Sequence, residues 1–251
     1  MSTNLKDRSA LVTGATTGIG RAIALALAEQ GAHVIATGRD TGRGAAVVAE
    51  IEQAGGRADF VAADLADGAA AVEALAGRAT ELADGRLDVL VNNAALLLMP
   101  QPTGELPEQL IDRAFAISVR APILLTGRIA PEMARAGGGA IVNIGSISGV
   151  TGSAGSALYS ATKATLHSLT KSWAAEYGPA GVRVNTVAPG PTSTENNQKI
   201  EDRLNEMVAA TPGGRLSTPA EVAASVVFLA GDGAANIHGA TLFVDGGFTS
   251  R

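Results

Sequence analysis

Short apolar runs rich in β-branched residues alternate with longer alanine-rich stretches along this chain, and that alternation narrows the architecture more than any other feature. The runs fall at 9–13, 33–37, 59–62, 89–92, 140–144, 183–187 and 241–244. Helical patterns cover about 18–30, 42–54, 69–82, 107–136, 157–177 and 220–230. Strands separated by helices return by right-handed crossovers, which predicts a doubly wound α/β fold of Rossmann type, a parallel sheet covered on both faces. Val89-Leu90-Val91, apolar at consecutive positions, suits such a doubly buried strand. No repeat or linker interrupts the pattern, so one domain is expected over residues 1–251. The polar segment 191–215 departs from it, with a short helix expected near 200–210. A long excursion after a strand end is where substrate lids sit.

Composition removes several function classes. A formal charge of −5 without a basic stripe argues against nucleic-acid binding. With no cysteine, disulfides, thiolate catalysis and cysteine-based zinc sites are excluded. His33, His167 and His238 are dispersed without metal spacing and read as structural, so no metal site is expected. No run of about 18 apolar residues occurs, so no membrane-spanning helix is expected. The polar first eight residues do not resemble a secretory leader, and a cytoplasmic protein is the expectation. Aromatic residues make up only 3%, so the core must be built from Ala, Val, Leu and Ile. Trp173 and Tyr177 are expected to pack at a helix or subunit contact, and Glu195, Glu201 and Asp202 to form a solvated face.

Directly after the first run comes Thr13-Gly14-Ala15-Thr16-Thr17-Gly18-Ile19-Gly20, opening into a helix. Glycines at such a junction allow a tight turn and let backbone N–H groups reach a pyrophosphate at the helix N-terminus. At the end of the second run an acid would bind a ribose 2′-hydroxyl, and a base would accommodate a 2′-phosphate. The chain reads Gly38-Arg39-Asp40 there. Arg39 points to NADP(H) over NAD(H), the alternative being a solvated residue paired with Asp40.

Tyr159 and Lys163 stand one turn apart on a helical stretch. A phenol near its ordinary pKa of ~10 transfers protons poorly at neutral pH, and a neighbouring ammonium together with the positive charge of oxidised nicotinamide would lower it. Thirteen residues upstream, Ser146 follows a buried strand at its carboxyl end, where open α/β sheets bind ligands. Its hydroxyl could hold a substrate oxygen while Tyr159 moves the proton, with Ser148 lining the pocket. Leu96-Leu97-Leu98-Met99 follows another strand end and could line an apolar pocket or a subunit contact.

In this order, the glycine turn, Asp64-Leu65, Asn92-Asn93-Ala94, Ser146, Tyr159 with Lys163, Pro189-Gly190 and Val244-Asp245-Gly246-Gly247 closely resemble the short-chain dehydrogenase/reductase family over nearly the whole chain. The resemblance implies a seven-stranded sheet of order 3-2-1-4-5-6-7 and reversible reduction of a ketone or aldehyde to an alcohol. Tyr159 is then the general acid/base, Lys163 the residue that lowers its pKa and grips the nicotinamide ribose, and Ser146 the substrate orienter. Gly14, Thr16, Thr17, Gly18, Ile19 and Gly20 would hold the pyrophosphate, and Asp64 and Leu65 the adenine. Asn92 and Ala94 would line the adenosine ribose, and Pro189, Gly190, Thr192 and Thr194 the nicotinamide. A homotetramer, or a dimer, paired through two long helices and the last strand is also implied.

Two departures stand out. Ala95 replaces the usual glycine after Asn-Asn-Ala, and Ser118 stands where the family places an Asn that supports a proton relay. That leaves two other readings open, an NADP(H)-binding sensor or scaffold with little turnover and a purely structural oligomer. A 3-oxoacyl-carrier-protein reductase is the nearest narrower resemblance. An acidic carrier calls for basic residues around the entrance, but the segments 136–139 and 179–181 carry none. Small ketones, sugars, steroids and cyclic alcohols stay equally open as substrates.

Overall fold

The computed structural model describes residues 4–250; Met1 to Thr3 and Arg251 lie outside it, and with them the start of the polar lead-in and both ends of the expected domain. Seven strands, β1 (Ser9–Thr13), β2 (His33–Gly38), β3 (Arg57–Ala62), β4 (Val89–Asn92), β5 (Gly139–Ile144), β6 (Val182–Pro189) and β7 (Thr241–Val244), form one sheet of order β3-β2-β1-β4-β5-β6-β7. Every pairing is parallel. The side-chain period of two sorts each strand between two cores. Ala10, Val12, Val89 and Val91 face one core, together with α1 (Gly18–Glu29), α2 (Thr41–Gln53) and α8 (Pro219–Ala230). Leu11, Leu90 and Ile141 face the other, with α3 (Ala69–Leu82), α5 (Ala121–Arg135) and α6 (Ala157–Tyr177). Trp173 is buried in this second core, which meets the expectation of a packing role.

The helical stretch expected at 107–136 is not continuous. It divides into α4 (Glu108–Phe115), a π turn (Ala116–Arg120) and α5. Pro122 explains the slip: lacking an N–H, it cannot donate to the Ser118 carbonyl four residues back. The ladder shifts to i→i−5, with Ala121 N–H donating to the Ala116 carbonyl. Beyond β6, the segment 191–215 carries a 3₁₀ stretch (Glu195–Ile200) and α7 (Glu201–Val208), close to the expected short helix. Its base is tied down, Ser193 N–H donating to Ser217 O at 2.9 Å and Ser217 N–H to Pro191 O at 3.0 Å. Among the described residues no helix is long and apolar enough to cross a membrane.

Candidate active site

A cleft of about 1030 Å³ opens along the carboxyl ends of the strands. It spans the point where the order reverses between β1 and β4, the position at which doubly wound sheets hold ligands. The glycine turn forms one wall. Gly14 sits at φ 63° and Gly18 at φ 52°, left-handed values that a side chain would strain. At Gly20 a Cβ would fall 2.1 Å from the Gly14 carbonyl oxygen, so the turn closes only without one. Asn93 clamps it from outside, its Nδ2 donating to Thr13 O at 2.8 Å and Gly14 O at 3.1 Å. Thr13 Oγ1 in turn accepts from Asn93 N–H at 2.9 Å and Ala94 N–H at 3.0 Å. Sequence reasoning assigned no role to Asn93; the Asn-Asn-Ala motif was the signal that held one.

At the N-terminus of α1, Thr17 makes no side-chain cap. The Gly18 N–H instead donates to Glu195 Oε2 at 3.1 Å, a carboxylate reaching over from the 191–215 segment. A negative group therefore already stands at the positive end of this helix, which fits the turn to an anion such as a dinucleotide pyrophosphate. Glu195 and Asp202 are exposed, as expected of a solvated face, but two of its members have partners the sequence did not suggest. Glu195 reaches the glycine turn, and Glu201 accepts from Ser193 Oγ at 2.9 Å.

Arg39, just past β2, and Arg43 on α2 line the cleft near the glycine turn. The alternative pairing of Arg39 with Asp40 does not form, because Asp40 caps α2 through Arg43 N–H at 3.0 Å and meets Arg43 Nε at 2.8 Å. Arg39 lies 3.7 Å from Asp64 instead, and Arg113 donates to Asp64 Oδ2 at 3.0 Å, a contact that spacing gave no hint of. Burial alone would raise the Asp64 carboxyl, but the Ala66 N–H and the two guanidiniums outweigh it and hold the group below the carboxylate range. Gly38 marks where an acid reading the 2′-hydroxyl would stand. A Cβ there would meet Thr16 Cγ2 at 2.7 Å, so the short branched Thr16 fences the position.

Ser146, Tyr159 and Lys163 converge on the cleft from the end of β5 and one face of α6. Lys163 is 2% exposed and donates from Nζ to the Ile144 carbonyl, the last residue of β5, at 2.7 Å. Its nitrogen lies 5.7 Å from the centre of the Tyr159 ring. Burial brings the lysine down to about 8. Burial also pushes the Tyr159 phenol up, a hydrogen bond with Ser146 opposing it. The expected lowering of the phenol by Lys163 is therefore not what the chain itself produces: desolvation dominates, and the ammonium is directed at a carbonyl. The Ser146 N–H donates to His167 Nε2 at 3.4 Å, so this histidine, read as structural, packs directly beneath the serine.

Ala94, Leu65, Pro189, Gly190, Thr192 and Thr194 line the same cleft, as does Ser148. Asn92 and Ser118 do not. The Asn92 side chain turns into a buried polar chain, donating to Asn143 Oδ1 at 2.9 Å. Asn143 donates to Thr170 Oγ1 at 2.8 Å, which lies 2.7 Å from Thr186 Oγ1. This chain joins β4, β5, α6 and β6. Ser118 is 3% exposed within the π turn, its Oγ accepting from Leu96 N–H at 3.5 Å. Leu96, Leu97 and Leu98 line the cleft, while Met99 faces outward at 63% exposure. Among the described residues no acid or histidine cluster suits a metal ion.

A family model described as enoyl-(acyl carrier protein) reductase matches residues 14–249. The chain is 41% identical to the cis-4-hydroxycyclohexanecarboxylate dehydrogenase of Sinomonas cyclohexanicum over 245 residues, 97% of each protein. It is 38% identical to the 3-oxoacyl-[acyl-carrier-protein] reductase FabG of Vibrio cholerae, covering 97% of this chain and 98% of that one. A solved structure described as a short chain dehydrogenase/reductase family protein superimposes with a TM-score of 0.89 at 40% identity, over 100% of both chains. These matches run over nearly the whole chain, and the chain belongs to the short-chain dehydrogenase/reductase family.

Proposed function

We propose that this protein is an NADP(H)-dependent oxidoreductase that interconverts a ketone or aldehyde with its alcohol. The observation that carries the reading is the meeting of Ser146, Tyr159 and Lys163 in a cleft whose far end is lined by Arg39 and Arg43. When bound, the nicotinamide supplies or accepts the hydride. In the reductive direction Ser146 Oγ hydrogen-bonds the carbonyl oxygen and Tyr159 delivers a proton to it, two donors aimed at the oxygen where charge develops. Lys163, fixed by the Ile144 carbonyl, holds positive charge beside the phenol and grips the nicotinamide ribose. The glycine turn 14–20 seats the pyrophosphate, Asp64 and Leu65 the adenine, Ala94 borders the ribose, and Pro189, Gly190, Thr192 and Thr194 the carboxamide, while Asn92, turned into the buried polar chain, braces β4 beneath them. Ser118 supports the relay through its backbone. The segment 191–215 acts as substrate lid on a single domain. Two arginines at the adenosine end and the fence between Gly38 and Thr16 support NADP(H) over NAD(H). Exposed Ile123, Phe228, Leu242 and Phe243 support assembly with further copies. The sensor and structural alternatives gain no support from relatives that are themselves dehydrogenases or reductases.

The test is NADPH oxidation against a ketone panel by the wild type and Tyr159→Phe. Loss of kcat by about 10²-fold or more is expected, with NADPH affinity kept within about threefold. A variant that retains most of its turnover sinks the assignment.

A further inference from the structure

The cleft is chemically divided. Its charged lining residues are Arg39, Asp40, Arg43 and Asp64 at the adenosine end, and the buried Lys163. Beyond Tyr159 the walls change character. The loop after β4 contributes Leu96, Leu97 and Leu98, α7 contributes Leu204 and Met207, and Ile147 lines the wall beside Ser146. Leu204 and Met207 stand three residues apart on α7, so they present one face together. Leu97 is 61% exposed and Met207 43% exposed, apolar surface left in water on two lips of the opening. The lid's charged residues Lys199 and Arg203 do not line the cleft.

Polar lining groups at this end are few and partly committed. Asn197 Nδ2 already donates to the Thr192 carbonyl at 3.0 Å, and Ser148 N–H to Ser146 Oγ at 3.1 Å. A carboxylate or phosphate would lose its hydration there with no cation but Lys163, whose ammonium is held at Ile144. A polyol would find only Ser148, Thr194, Asn196 and Asn197 as side-chain partners besides Ser146 and Tyr159, against a wall of Leu96, Leu97, Leu98, Leu204 and Met207 that offers none.

Resting on the function proposed above, we infer that the physiological substrate is an uncharged, largely apolar ketone or secondary alcohol, held by its hydrocarbon body between the leucine loop and α7. Carboxylates, sugar acids and polyols are disfavoured. The experiment uses the full-length enzyme with NADPH and three ketones, 4-methylcyclohexanone, 4-oxocyclohexanecarboxylate and dihydroxyacetone. The neutral ring is expected to exceed the other two by about 100-fold in kcat/KM. Met207→Lys, a change on an exposed lip, should shift the ratio of carboxylate to methyl substrate by about tenfold toward the carboxylate. A wild-type preference for the carboxylate or the triose overturns the inference and leaves the proposed oxidoreductase standing. An unmoved ratio in Met207→Lys, with the wild-type preference intact, overturns the assignment of α7 to the substrate wall. Reduction of none of the three overturns both readings.

Discussion

Tyr159 and Lys163 were legible in sequence because a separation of four residues means one helical face whatever surrounds the helix. Their protonation was not, because it depends on burial that spacing does not encode. Burial lowers Lys163 to about 8 and raises Tyr159, so the ammonium is the first of the two to lose its proton as pH rises. Reduction needs the phenol protonated and the ammonium charged, and both hold below about 8. Reductive kcat/KM should therefore be level at neutral pH and fall through about 8. An alkaline limb that begins only above about 10, where an ordinary lysine titrates, would contradict this. Ser118 was legible only as a departure from a motif; its place in a π turn was not. Pro122 cannot donate to its carbonyl, so the usual i→i−4 bond to that oxygen is missing whatever side chain stands at 118. Ser118→Asn should leave kcat unchanged or raise it by no more than about tenfold, an amide replacing one hydroxyl acceptor at Leu96 N–H. A sharp loss in steady-state turnover would show that the side chain itself matters.

At the scale of elements, the strands and most helices follow from local rules. Period-two alternation sends Val12 and Leu11 to opposite cores, and Ala-rich stretches of a dozen residues have room for the crossovers. The failures are non-local. A helical pattern reads the same with or without one extra residue in the ladder, so the periodicity hid the π turn between α4 and α5, and Pro122 was its one local signal. Glu195 looked like a solvated acid because its partner, the Gly18 N–H, lies 177 residues earlier. That contact gives the segment 191–215 a consequence for binding. A pyrophosphate approaching the α1 N-terminus must displace a carboxylate of like charge, and charge-assisted bonds are roughly twice as strong as neutral ones. Glu195→Gln keeps an acceptor for Gly18 but removes the charge. NADPH should then bind about 3- to 10-fold more tightly, measured by titrating nicotinamide fluorescence. Unchanged or weaker binding would mean that the carboxylate does not compete for this position.

Across the whole molecule, alternation of strands and helices dictated a parallel doubly wound sheet but not the order of its strands, since either neighbour of β1 satisfies the same local pattern. The order became an expectation only through the resemblance of the motifs to a known family, and in the structure the residues after β1, β4, β5 and β6 border one cleft. A ligand bridging those ends touches both halves of the sheet, so its binding energy must appear as global stability. At a concentration 100 times its dissociation constant, NADPH adds about 2.7 kcal/mol. For a chain of this length that corresponds to a rise in Tm of roughly 5–11 °C. Arg39→Asp sharpens the measurement. The side chain is 65% exposed and 3.7 Å from Asp64, so the exchange should lower the Tm of the protein alone by no more than about 4 °C, the worth of a surface pair being about 0–1 kcal/mol. With NADPH the variant should gain clearly less than the wild type, and with NADH no less. Equal NADPH shifts in the two proteins would remove Arg39 from phosphate recognition, and no shift in either would remove the cleft from dinucleotide binding.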